Sequence, residues 1–173
     1  MEVLIEFGKI LLPASVVLYA VYLIVRSFII KEIELKKLEV RSRSIETTLP
    51  IRLQAYERIT LFLERISPQN LLIRLSDPGY RARDFQKILL DEIRNEYNHN
   101  VSQQVYMSEE VWNQVRNAKE DLIMLINEAA GHMTVDSNAV DLSKRIFEMA
   151  LEKKVDPIGH ALSELKKEIQ QTF

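Results

Sequence analysis

Residues 10–30 read ILLPASVVLYAVYLIVRSFII, and Arg26 is the only charge among them. A helix needs about 20 predominantly apolar residues to cross the hydrocarbon core of a bilayer. A stretch of this kind must be buried on every side or lie in lipid. Its flanks decide between the two. Lys9 alone is basic before it, whereas Lys31, Lys36, Lys37, Arg41 and Arg43 follow it. An interior helix has no use for such an asymmetry, but a transmembrane helix does, because Lys and Arg near a span stay on the cytoplasmic side. The spacing therefore predicts a short extracytoplasmic N-terminus over 1–9, a transmembrane helix over 10–30, and the rest of the chain in the cytoplasm.

A cleaved signal peptide would have a basic start, an apolar stretch of roughly 7–15 residues and small residues before the cut. Here the start carries Glu2 and Glu6, and the run ends in SFIIK without an Ala-x-Ala pattern, so an uncleaved anchor is expected. Arg26 can reach the cytoplasmic interface along its own stem. The exit residues Lys31, Lys36, Lys37, Arg41 and Arg43 are placed to contact anionic lipid headgroups. Pro13 falls near the start of the span, where its missing N–H costs little. Tyr19 and Tyr22 read as lipid-facing rather than as a packing face. No Gly-x-x-x-Gly is present, so that motif gives no dimer signal, and homo-oligomerisation stays open.

Beyond the span, 31–48 reads as a charged helical stalk. It is rich in helix formers, and Glu32 and Lys36 make a favourable i,i+4 pair. Ile30, Ile33 and Leu38 make only a short stripe, so a solvated stalk is expected rather than a coiled coil, which needs several sustained heptads. Ser42, Ser44, Thr47 and Thr48 are expected to loosen the chain, and Pro50 to open the next helix.

Residues 49–173 are enough for one ordinary domain. Ile51, Ala55, Ile59, Phe62 and Ile66 recur at helical spacing. Ser67-Pro68 should cap a short helix with Leu71, Leu72 and Leu75, and Asp77-Pro78-Gly79 is a turn. Asp84 or a near neighbour should start a helix with Phe85, Ile88, Leu89, Ile93 and Tyr97 inward. Ser108 caps a longer one carrying Val111, Val115, Ala118, Leu122, Leu125 and Ala129, stopped by Gly131. Ser137 or Asn138 opens another, with Ala139, Leu142, Ile146 and Met149. Asp156-Pro157 opens the last, with Ile158, Leu162, Leu165 and Ile169. No segment alternates like a strand. The expected class is all-α: a transmembrane helix and stalk followed by a compact bundle of about five helices.

Few chemistries fit. The chain lacks cysteine, which excludes disulfides, thiol catalysis and Cys-ligated metals. A net charge of −2, with no dense basic face, argues against nucleic-acid binding. No Gly-rich phosphate loop occurs, and no nucleophile, base and orienter can be grouped, so no cofactor or catalytic residue is predicted. The densest polar stretch is 94–106, RNEYNHNVSQQVY. His99, Gln103, Gln104 and Tyr106, with Trp112 nearby, form a candidate partner-binding strip. The competing reading is a helix break whose amides serve the backbone. Glu96 and His99 have the Glu-x-x-His spacing of di-iron bundles, but such a site needs two pairs and two further glutamates.

The stretches LPIRLQAYER (49–58), FLERISP (62–68) and EYNHNVSQQVYMS (96–108), with Trp112 shortly after, resemble an uncharacterised family of small Bacteroidota membrane proteins with one N-terminal span and a cytoplasmic helical domain. The resemblance implies a bacterial cytoplasmic membrane and brings no activity, substrate or catalytic residue. The functional expectation is a membrane-tethered interaction or assembly module with a protein partner. The alternative is a metal-dependent enzyme with a carboxylate/histidine site at Glu96 and His99.

Overall fold

The computed structural model describes the backbone of residues 2–153 and 156–172. Side chains are described for all of these except 2–8, 10, 12, 13, 41, 44 and 172. Arg41, expected at headgroups, and Pro13 in the span therefore lie outside the described side chains.

The class is all-α, as expected: six α-helices, with no strand among the described residues. They are α1 (Glu2–Ile66), α2 (Pro68–Leu75), α3 (Ala82–Asn100), α4 (Glu109–Gly131), α5 (Ala139–Glu152) and α6 (Pro157–Thr172). A 3₁₀ helix, Val101–Tyr106, joins α3 to α4. The chain divides into two compact units, Met1–Leu49 and Pro50–Phe173.

In the first unit, α1 is long and apolar enough to cross a membrane. Leu18, Ile24 and Phe28 are exposed, and Tyr19 and Tyr22 stack at 6.5 Å. The expected loosening at Ser42, Ser44, Thr47 and Thr48 does not occur, because all four are helical. Thr47 Oγ1 donates to the Arg43 carbonyl at 3.0 Å, the bond back to residue i−4 that a threonine inside a helix can make. Pro50 is likewise inside α1 rather than at a helix start.

The second unit is built around one continuous core. Ala55, Ile59, Phe62 and Ile66 are buried as expected. Ile51 is not: it is 44 % exposed, and Tyr56 and Leu63 are buried beside the stripe instead. The stripe is thus wider than the sequence pattern and begins one turn later. Central α4 packs on α3, α5 and α6, and its predicted stripe from Val111 to Ala129 is buried throughout. Ile88 and Tyr97 in α3 are only half-buried, as are Leu162 and Ile169 in α6.

The caps explain most of the boundaries. Ser108 Oγ accepts from Val111 N–H at 3.2 Å. Asn138 and Asp141 form a reciprocal capping box at α5. Asp156 Oδ1 accepts from Gly159 N–H at 2.9 Å ahead of α6, and a Cβ on Gly159 would collide with that carboxylate. One expectation fails. Ser67 does not cap α2, because its hydroxyl donates back to the Glu64 carbonyl at 2.8 Å. The third helix starts at Ala82, a near neighbour of Asp84 as expected, and Ala82 N–H is satisfied by the Ser137 carbonyl at 3.0 Å.

Candidate functional site

The helix-averse residues Asn95, Asn98 and Asn100 predict a break, and the chain breaks there: α3 ends at Asn100 and the next turn tightens to 3₁₀. Asn100 is the residue that serves the backbone. It is 7 % exposed, and its Nδ2 donates to the Glu96 carbonyl at 2.8 Å. The strip residues do not share that role. His99 and Gln104 are exposed, and Gln103 is half-buried with only a 3.3 Å contact to its neighbour Ser102. Tyr106 is 38 % exposed and Val105 73 %. The end of α3 and the 3₁₀ turn therefore present an imidazole and amides next to apolar surface.

Trp112 falls elsewhere. It is 7 % exposed and stacks on Tyr97 with ring centroids 5.7 Å apart. Phe62 packs tilted against Tyr97 at 6.0 Å, and Lys119 Nζ lies 4.2 Å from the Tyr97 ring centre. Trp112 is thus a core anchor between α3 and α4, not part of an exposed strip. Aromatic pairs in such offset arrangements add about 0.5–1.5 kcal/mol beyond their buried area.

Glu96 and His99 are not brought together as ligands. The Glu96 carboxylate pairs with Arg65 at 2.8 Å. A second pair joins Arg74 to Glu92 at 2.6 Å, so these acids tie α3 to α1 and α2. Among the described residues no group of three His, Asp or Glu side chains is arranged to hold a metal. The basic residues Lys31, Lys36, Lys37 and Arg43 are exposed on α1, and Arg43 pairs with Glu39 at 2.8 Å.

The densest polar constellation was missed in the sequence. Glu168 of α6 reaches the start of α4 and accepts from Ser108 N–H at 3.0 Å and from Ser108 Oγ. It also accepts from Tyr56 Oη at 2.6 Å, and Arg52 Nη2 stands 3.7 Å away. Arg52 in turn donates to Tyr56 Oη at 2.6 Å and to the Tyr106 carbonyl at 3.2 Å. One carboxylate thereby caps α4, holds a buried tyrosine and, through Arg52, fixes the end of the 3₁₀ turn. Burial raises the Glu168 pKa, but the bonds from Ser108 and Tyr56 and the Arg52 charge outweigh it, leaving it below the ordinary glutamate value. Burial, followed by the bond to Glu168, raises Tyr56. The only sequence signal was Arg52 and Glu168 lying off their apolar stripes, which describes most surface charges as well.

A cleft of about 580 Å³ opens between the start of α3 and the end of α4, lined by Arg81, Arg83, Asp84, Asn127 and Thr134 among others. Gln86 Nε2 donates to Asn127 Oδ1 at 2.9 Å within it. Its lining holds no histidine and a single carboxylate, Asp84, which is too little for a nucleophile, base and orienter.

Residues 2–172 match the model of a family of unknown function (DUF7935), and the chain belongs to that family. The match runs through both units. No curated protein and no solved structure matches the chain.

Proposed function

We propose that this protein is a membrane-tethered interaction or assembly module. It is anchored in a bacterial cytoplasmic membrane by residues 10–30, with the N-terminus outside and the helical domain in the cytoplasm. The observation that carries the reading is the pairing of an exposed apolar helix with a domain whose polar groups are occupied by one another. Among the described residues every buried side-chain nitrogen or oxygen has a hydrogen-bond partner. Arg52, Tyr56, Ser108 and Glu168, which lie closest together, hold helices in place.

The orientation is supported by the basic exit from the span. A reporter active only in the cytoplasm, fused after Phe173, should be active. Activity of a periplasmic reporter at that position instead would overturn the topology. The partner surface is assigned to the 3₁₀ turn and the end of α3, where His99 and Gln104 stand beside exposed Val105 and Tyr106. Affinity isolation from gently solubilised, cross-linked membranes should recover a protein partner with the chain. Recovery of the chain alone across several detergents would count against the module reading.

A further inference from the structure

We infer that α1 pairs with a second copy of this chain, in parallel and in register, along one stripe that keeps its phase from the span into the stalk. The stripe follows alternating steps of three and four from Ala14 through Val17, Val21, Ile24 and Phe28 to Leu35, Leu38, Ile45 and Leu49. Only Lys31 and Ser42 interrupt it. Such 3.5-residue spacing is the pattern of two helices supercoiled about each other.

Within the span most residues are apolar, so the informative residues there are the polar ones. Ser15, Tyr19, Tyr22 and Arg26 fall on the face opposite the stripe, and Ser27 flanks it. Within 31–49 the discrimination is direct. Four of the six stripe positions are apolar (Leu35, Leu38, Ile45 and Leu49), whereas of the other thirteen only Ile33 and Val40 are. Leu35, Leu38 and Ile45 are exposed on α1. The short stripe through Ile30 and Ile33 is therefore not the seam. The seam is the one in phase with the span.

A second copy is the occupant for three reasons. Copies anchored by residues 10–30 enter the same bilayer from the same end, so their stalks are already parallel and concentrated in two dimensions. This step rests on the membrane reading proposed above. By sequence register alone, Arg41 and Glu46 take the paired flanking positions of a parallel heptad seam, the positions whose opposite charges set coiled-coil orientation. The one like-charged meeting, Glu34 with Glu39, is blunted because Glu39 is already held by Arg43 at 2.8 Å in its own helix. Finally, most of a helix's stability in a protein comes from packing an apolar face, and pairing supplies the burial that exposed Leu35, Leu38 and Ile45 lack. Lipid tails are as apolar as leucine, so no hydrophobic drive acts between helices within the span; the stalk carries the pairing and the span follows its phase.

The native chain has no cysteine, which makes the test free of background. Single substitutions are placed in the full chain, reconstituted in phosphatidylcholine vesicles and mildly oxidised. Leu35→Cys, Leu38→Cys, Ser42→Cys and Ile45→Cys should give disulfide-linked dimer, and Ile33→Cys and Val40→Cys should give several-fold less. Adding Leu35→Glu and Leu38→Glu to Ser42→Cys should remove its dimer while leaving the thermal melt of the helical domain in place. Equal cross-linking on both faces, dimer confined to Ile33 and Val40, dimer at Ser42 alone, or no dimer anywhere would overturn the inference. Flotation of the same vesicles separates it from the anchor. A chain that floats without face-dependent cross-linking refutes the pairing and keeps the anchor. A chain that cross-links with this period but does not float keeps the pairing and refutes the anchor.

Discussion

Leucine, isoleucine, valine and phenylalanine are common in both units, and they meet opposite surroundings. In the second unit Phe62, Leu89, Ile126 and Leu142 are almost wholly removed from solvent. In the first unit Leu18, Ile24 and Phe28 are exposed. Folding in water is driven by withdrawing apolar surface from it, and contiguous exposed apolar patches beyond a few hundred Å² mark a membrane or protein contact. The contrast teaches that phase, not apolar content, distinguishes a core-facing stripe from an anchor. Residues 55–66 return an apolar side chain every three or four positions with Glu57, Arg58, Glu64 and Arg65 between them, while residues 10–30 offer almost no charged face.

The sharpest way to break that contrast is to damage one unit and read the other. Phe62→Ala removes a fully buried ring that also touches Tyr97. Truncations of this kind cost about 3–5 kcal/mol, a large share of the roughly 5–15 kcal/mol that holds a typical domain. Denaturant unfolding should show the loss, and vesicle flotation should be unchanged. The reciprocal change, Val21→Lys, places a charge near the middle of the span. A central lysine costs about 2.5–3.5 kcal/mol in membrane insertion. Flotation should fall while the melt of the helical domain stays where it was. If Val21→Lys lowers that melt as much as Phe62→Ala does, residues 10–30 belong to a soluble core and the contrast collapses.

The two units also differ in how much of them could be read in advance. Stripes such as Val111–Ala129 and Ala139–Met149 were legible because helical periodicity and burial are the same constraint seen twice. Ser108, Asn138 and Asp156 were legible because their side chains bond locally, within three residues. What was not legible depends on long-range partners. Tyr56 is buried because its hydroxyl reaches Glu168, 112 residues away, and no local pattern contains that. Ser67 looks like a cap and Thr47 like a loosening residue in isolation, yet each hydroxyl donates to a preceding carbonyl. In the candidate strip the break was readable from its asparagines. Which amide serves the backbone was not, because Asn100 and Gln103 differ in burial rather than in chemistry.

Glu168 provides a milder test within the folded unit. Glu168→Ala leaves Tyr56 Oη and the start of α4 without their acceptor. A lost partner for partly buried groups costs about 1–3 kcal/mol, which a denaturant midpoint will show. The pH dependence has a definite sign. A carboxylate whose folded pKa is depressed adds stability above its unfolded value, and that stability is lost as pH falls through the folded one. Since Glu168 sits below the ordinary value of 4.5, its contribution should be intact at neutral pH and fade under acid conditions below that value. Glu168→Gln should flatten that part of the acid profile. An unchanged acid limb in Glu168→Gln would show that the cluster does not contribute this stability.

The smallest expected effect on stability is at the surface strip. His99 is exposed, and Gln103 makes one long contact to its own neighbour. Substitutions at such positions shift stability by less than about 0.5 kcal/mol, so His99→Ala combined with Gln103→Ala should melt with the parent. Asn100, adjacent to both, is the control, because its buried amide supports the carbonyl of Glu96 where α3 ends. Asn100→Ala should lower the melting temperature visibly, yet leave partner recovery intact in the folded fraction. The double variant should do the opposite, keeping the fold and losing the partner. Calorimetry paired with affinity recovery reads both outcomes on the same preparations. If His99→Ala with Gln103→Ala destabilises the domain as much as Asn100→Ala does, the strip is part of the break itself, and the recognition surface must be sought elsewhere on the second unit.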